Sequence, residues 1–137
     1  MTNDCLFCRI INKEIASLIV YEDKNVIAFL DVNPVNLGHT LVLPKKHVDN
    51  LLSMDNKTIN SVFQAVRDVS RAVMQATKAQ GFNVEINNYR VAGQLVDHAH
   101  VHIVPRFEGD GLKHWPGKKM PQEQIQQIAG KIRTFLR

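Results

Sequence analysis

Apolar positions recur at two different periods along this chain, and the changes of period mark its elements. From Asp55 to Gln80, the residues Ile59, Val62, Phe63, Val66, Val69, Val73 and Met74 keep a 3.6-residue repeat, which predicts a long amphipathic helix. Asp55 is placed to cap its start, and Gly81 stands where a C-terminal glycine is expected. A similar stripe of Ile125, Ile128, Ala129, Ile132, Phe135 and Leu136 predicts a second helix over 121–136. A short helix is predicted over 5–13. Elsewhere the period shortens toward two. "LIVYE" (18–22) and "VIAFLD" (26–31) read as paired strands around a "DKN" turn, "TLVLP" (40–44) as a third, and "FNVEINN" (82–88) as a fourth. "NPVNLGH" (33–39) and "YRVAGQLVD" (89–97) read as loops. Hairpin-length connections and the absence of a repeated strand–helix–strand unit predict an α+β fold, an antiparallel sheet with helices packed on it.

The last strand carries the chemistry. In "DHAHVHIVPR" (97–106), His98, His100 and His102 alternate with Ala99, Val101 and Ile103. Side chains of a strand point to opposite faces in turn, so the small and aliphatic residues face a core while the three imidazoles share the other face over roughly 13 Å. Pro105 is expected to end or edge that strand, because proline cannot donate to a central ladder. Imidazole serves as base, nucleophile or metal ligand, and three in strict alternation call for one of those roles.

Composition narrows the classes. At 137 residues and 45% hydrophobic, the chain suits one compact domain with a real core. No apolar run approaches a membrane span, and "MTNDCLFCRI" is too polar for a signal peptide, so the expected compartment is the cytoplasm. The net charge of +4 comes from scattered bases and hints at an anionic ligand, but no basic stripe with interleaved aromatics points to nucleic acid. The two cysteines, Cys5 and Cys8, form a Cys-x-x-Cys pair. A reduced compartment argues against a structural disulfide, which leaves a redox pair, a metal site or coincidence.

The stretch His98-Ala99-His100-Val101-His102-Ile103-Val104 resembles the motif of the histidine triad, or HIT, family, His-φ-His-φ-His-φ-φ with φ hydrophobic. "CLFCRIINKEI", "VIAFLDVNPVNLGHTLVLPKKHV" and "NNYRVAGQ" look like segments of bacterial members, so the resemblance covers most of residues 5–107, with a tail and helix over 108–137. It implies a HIT-like sheet of about five strands. It also implies cleavage or transfer of nucleotidyl groups at the α-phosphate of nucleoside phosphoramidates or dinucleoside polyphosphates, through a covalent nucleotidyl-histidine. On that likeness His100 is the nucleophile, His102 and Asn87 bind phosphate, Gln94 assists the leaving group, and His39 supports the histidine relay. Asp31 matches the aspartate that accepts the ribose hydroxyls. Leu6, Phe7, Ile10, Ile15, Phe29 and Val32 match positions that sandwich the base, expected to be a purine.

Some bacterial members and the related galactose-1-phosphate uridylyltransferases hold a structural zinc on a Cys-x-x-Cys pair and two histidines. The matching set is Cys5, Cys8, His47 and His98, two sulfurs and two nitrogens that suit tetrahedral zinc. The resemblance further implies a homodimer in which two sheets join across a two-fold axis, burying the long helix and the "NNYRV" region. Two other readings compete: a hydrolase with all three triad histidines on one catalytic zinc, and a nucleotide-binding adaptor with little turnover. Leu95 stands where several relatives have serine or threonine, and Trp115, in "HWPG", matches a tryptophan that in the phosphoramidase branch reaches the partner's site.

Overall fold

The computed structural model describes residues 4–136; the reading of the first residues as no signal peptide rests partly on Met1–Asn3, outside the described part. The elements are α1 (Leu6–Ile11), β1 (Ile19–Glu22), β2 (Val26–Leu30), β3 (Thr40–Pro44), α2 (Asn56–Thr77), β4 (Gly81–Ile86), β5 (Val101–Arg106) and α3 (Gln122–Phe135), with single 3-10 turns at Leu51–Ser53 and Arg90–Ala92. The five strands form one antiparallel sheet in the order β1-β2-β3-β5-β4. None of the helices among the described residues is long and apolar enough to cross a membrane.

The sheet separates two cores. On one face α2 packs Val62, Ala65, Val66, Val69 and Val73 against Val26, Ala28, Val42, Val101 and Ile103. Each fully buried valine contributes roughly 1.5–3 kcal/mol of hydrophobic stabilisation. Asp55 caps α2 as its sequence suggests, its side chain accepting from the backbone N–H of Thr58. On the other face α1 lays Phe7, Cys8 and Ile10 over Ile27, Phe29, Leu41 and Leu43. This second, thinner core lies on the imidazole face of β5.

Four expectations need correction. Gly81 does not end α2: the helix closes at Lys78, which takes the left-handed cap conformation at φ 58°, and Gly81 opens β4. The histidine strand starts late, because β5 pairs only from Val101; His98, Ala99 and His100 precede the ladder. Their alternation survives all the same. Ala99 is anchored by its N–H to the carbonyl of Val48 and packs with Val48 and Met54. Asn87 and Asn88 fall beyond the end of β4 at Ile86. Pro105 lies within β5, which runs on to Arg106, at a point past the last β3 partner, so no β3 ladder is interrupted.

The two sheet edges differ. β1 carries a register irregularity between Ile19 and Tyr21, and its Glu22 is bound by Lys13 and Lys45, devices that discourage pairing. β4 is regular over six residues, with Phe82 and Val84 each more than 40% exposed.

Candidate active site and metal corner

His100 is fixed by its own chain. Its Nδ1 donates to the carbonyl oxygen of His98 at 2.7 Å, a bond that places the proton on Nδ1 and leaves the lone pair on Nε2. Burial pushes the imidazole below its ordinary range, which favours the neutral, nucleophilic form. Phe7 meets the ring edge-to-face, with centroids 4.9 Å apart.

His102 receives its tautomer from a relay. The backbone N–H of Val35 donates to His39 Nδ1 at 3.0 Å, so His39 carries its proton on Nε2. That nitrogen lies 2.9 Å from His102 Nδ1 and 3.6 Å from Asp31 Oδ2. His39 therefore donates to His102, which is left with an Nε2–H donor. Burial lowers the pKa of His39, and holds that of His102 at about 4, with His100 and His39 beside it adding to the shift. His39 itself is buried behind His102.

A cavity of about 350 Å³ opens over these rings. It brings together Leu6, Phe7, Ile10, Ile15, Phe29, Asp31, Val32, Asn87, His100 and His102, all expected at the site, which sequence positions scatter over 97 residues. Asp31 anchors its loop by accepting from the N–H of Asn33 through Oδ1. Leu95 also lines the cavity. Sequence reasoning missed Ala16, Ser17, Leu30, Leu41, Gly93 and Val96 there. Gly93 had a signal in "AGQ": it sits at φ 101°, and a Cβ would come within 3.3 Å of Asn87 Nδ2, so only glycine lets the loop pass the asparagine.

Gln94 is held by backbone groups in this structure. It does not line the cavity and is 2% exposed. Its Nε2 donates to the carbonyls of Asp49 and Val96, and its Oε1 accepts from the N–H of Tyr89. Tyr89 is held at φ 72° and ψ 154°, a conformation that costs a residue with a Cβ about 1–3 kcal/mol. Gln94 thus clamps the loop that presents Asn87, Gly93 and Leu95. Trp115 is 86% exposed, outside the cavity.

The first triad histidine faces elsewhere. Fully buried His98 donates through Nε2 to the carbonyl of Pro44 at 2.8 Å, which leaves Nδ1 free to bind. That Nδ1 lies 3.4 Å from Cys5 Sγ and 3.6 Å from Cys8 Sγ, and His47 Nδ1 lies 3.4 Å from Cys8 Sγ. The four donor atoms of Cys5, Cys8, His47 and His98 lie within 4.8 Å of one another. Zinc–sulfur and zinc–nitrogen bonds of about 2.3 and 2.0 Å at a tetrahedral angle imply sulfur–nitrogen edges of about 3.5 Å. The observed spacings match those edges, so the residues fit the ion. The outer nitrogens are also held as a zinc site requires, His98 by Pro44 and His47 by Asp49 Oδ1 at 3.2 Å. Among the described residues, the three triad histidines do not converge on one point; His102 clusters with Asp31 and His39 instead. That arrangement argues against one catalytic metal on all three.

An antiparallel five-stranded sheet with three alternating imidazoles on and just before its β5 strand, two of them lining an apolar cavity together with a carboxylate, defines a histidine-triad site. The family model for the HIT domain matches residues 12–109, and the chain belongs to the HIT family. It is 49% identical over 107 residues to an uncharacterized HIT-like protein of Methanocaldococcus jannaschii, covering 78% of this chain and 82% of that one. It is 36% identical over 125 residues to the adenylylsulfatase HINT3 of Arabidopsis thaliana, covering 91% of this chain and 62% of that protein. The crystal structure of SMU.412c from Streptococcus mutans superposes at a TM-score of 0.95 with 43% identity, over 100% of this chain and 88% of that one. A Zn-bound histidine triad protein from Mycobacterium smegmatis superposes at 0.77 with 31% identity, over 93% and 97%.

Proposed function

We propose that this chain is a hydrolase or nucleotidyl transferase that cleaves nucleoside monophosphate conjugates at the α-phosphate, through a covalent intermediate on His100. The observation that carries the reading is the His100 tautomer: a neutral ring, its proton held by the His98 carbonyl, with the lone pair of Nε2 on a residue lining the cavity. The apolar walls around Phe7 and Phe29 take the base, a purine by preference, and Asp31 accepts the ribose hydroxyls. Nε2 attacks phosphorus, and the bond from phosphorus to the leaving nitrogen or oxygen breaks with its electron pair going to the leaving group. His102, holding its proton on Nε2, and Asn87 donate to the phosphate oxygens. Water then attacks the phosphorus, the bond to His100 breaks, and the nucleoside monophosphate leaves. Gln94 acts as a positioning residue for the phosphate loop. The Arabidopsis adenylylsulfatase supports a class of leaving groups wide enough to include sulfate.

The Cys5, Cys8, His47 and His98 corner is proposed to hold one structural zinc, tying α1 to the start of the triad. The Zn-bound mycobacterial relative supports it. The thiolates suit a reducing cytoplasm. The open, regular edge of β4 supports a homodimer joined there.

Mass spectrometry tests the reaction. Adenosine phosphoramidates, diadenosine polyphosphates and adenylyl sulfate should each release AMP, with a transient nucleotidyl adduct on the peptide containing His100. Release of terminal phosphate without AMP reverses the direction of the pocket and defeats the reading. Light scattering should give twice the 15.5 kDa chain mass.

A further inference from the structure

The larger cavity of the molecule lies away from the imidazoles. It is a groove of about 630 Å³ between α2 and the β1–β2 end of the sheet, lined by Val20, Leu37, Val69, Ala72, Ala76 and Phe107 among others. Val20 and Leu37 are 53% and 85% exposed there. A patch of this kind marks a contact site on a soluble protein. Ala72 and Ala76, one helical turn apart on α2 and both exposed, leave room for a second helix to lie close.

The same chain carries an apolar surface of the opposite shape. None of the residues of α3 is buried, and its stripe of Ile125, Ile128, Ile132 and Phe135 is between 47% and 88% exposed. A 14-residue helix is marginal in water without packing. The segment that leads to it begins at Phe107, on the rim of the groove. Arg106 grips that segment through Asp110 and the carbonyl of Leu112, and His114 lies against Gln80–Asn83 at the start of β4. The tail thus starts beside its own groove at Phe107 and runs out past the start of β4, and no residue of α3 lines that groove.

We propose that α3 is an exchanged arm, whose apolar stripe docks in the groove between α2 and β1–β2 of a second copy of this chain. Shape and polarity agree with the fit: Asp68, the charged residue among those lining the groove, is already held by Arg67 and Arg71, which leaves an apolar surface for an apolar stripe. The crystal structure from Streptococcus mutans matches this chain over its whole length, α3 included. The inference deepens the homodimer proposed above by assigning the element that closes the groove.

The test uses full-length chains with one added cysteine each. Two differently tagged proteins, one with Ala72→Cys and one with Ile128→Cys, are mixed through a mild denaturation step and treated with a short bis-maleimide. The expected product joins an α2 peptide to an α3 peptide across the two tags. In the Ala72→Cys/Ile128→Cys double variant, a linked species of monomer mass shows α3 folding onto its own groove and overturns the proposal. Absence of any α2–α3 link overturns it too. Light scattering separates this from the parent reading: twice the chain mass without the link leaves the β4 dimer standing and removes the arm, whereas monomer mass removes both. As a second readout, Ile128→Asp with Ile132→Asp should weaken self-association by at least about tenfold, while Gln126→Asp with Gln127→Asp on the opposite side of α3 should not. Equal effects from the two pairs count against the arm.

Discussion

His98 and His102 stand four residues apart on one face of the same stretch, and burial pushes both imidazoles from 6.5 to about 4. By residue type, spacing and protonation they are twins. Their neighbours divide them. His98 gives its Nε2 proton to the Pro44 carbonyl and turns Nδ1 toward two sulfurs. His102 accepts the Nε2–H of His39 on Nδ1 and keeps its own proton on the other nitrogen, in the ring that lines the cavity. A hydrogen bond to one ring nitrogen decides what the other can do. In His98 the free atom faces two sulfurs, and in His102 it is a donor. His100, between them, has its Nδ1 occupied by a carbonyl and keeps the lone pair on Nε2.

Three substitutions along this row should therefore have three different signatures. The largest effect falls on chemistry: His100→Ala should lower turnover by roughly 10⁴-fold or more, with metal content and nucleotide binding retained. Retention of more than a hundredth of the activity breaks the assignment. His102→Ala should cost about 10²–10³-fold in turnover, again with metal content intact. His39→Ala should follow it at about 10–10², because His39 acts only through the His102 tautomer. In the double variant the His39 substitution should then add little, and full additivity would uncouple the two rings. His98→Ala should instead remove the zinc and lower Tm by about 10 °C, corresponding to a loss of about 3 kcal/mol. Elemental analysis beside calorimetry distinguishes it from its twin.

Parts of this division were legible in the sequence and parts were not. Alternation placed Ala99, Val101 and Ile103 inward although the ladder begins only at Val101, since the pleat continues through the unpaired residues. The Cys-x-x-Cys spacing carried the sulfur corner, because residues three apart at a helix start bring both thiols to one side. Gln94 was not legible. Its amide can face cavity or backbone, and the outcome depends on Tyr89 adopting a positive φ that nothing in its residue type announces. The left-handed cap fell on Lys78 rather than Gly81, because β4 already claims the glycine. The period of α3 was plain, but periodicity says that a face is apolar and not what covers it.

Acid should sharpen the comparison next. His102 has a folded-state pKa near 4, below its unfolded 6.5. The unfolded chain then binds more protons between those values, so the contribution of His102 to stability is complete above about 6.5 and is lost as pH falls toward 4. Urea midpoints measured across that window should decline in the wild type and decline less steeply in His102→Asn. Identical slopes would show that the ring is not buried as a neutral donor.

The smallest effect belongs to the outer edge of the metal corner. His98 is oriented by a backbone carbonyl, which no side-chain substitution removes, while His47 is oriented by Asp49, whose side chain is 71% exposed. Water competes for an exposed carboxylate, so its hold on the ring is weak. Asp49→Asn keeps the shape and an acceptor oxygen but removes the charge. Zinc affinity, measured by competition with a chromogenic chelator, should fall by about tenfold at most, and turnover at saturating zinc should not change. The Asp49 carbonyl, which accepts from Gln94, survives the substitution, so the loop that presents Asn87 and Gly93 stays clamped. A marked loss of turnover with zinc bound would mean that the corner and the cavity are one functional unit, and that the division between His98 and His102 is not a division of labour.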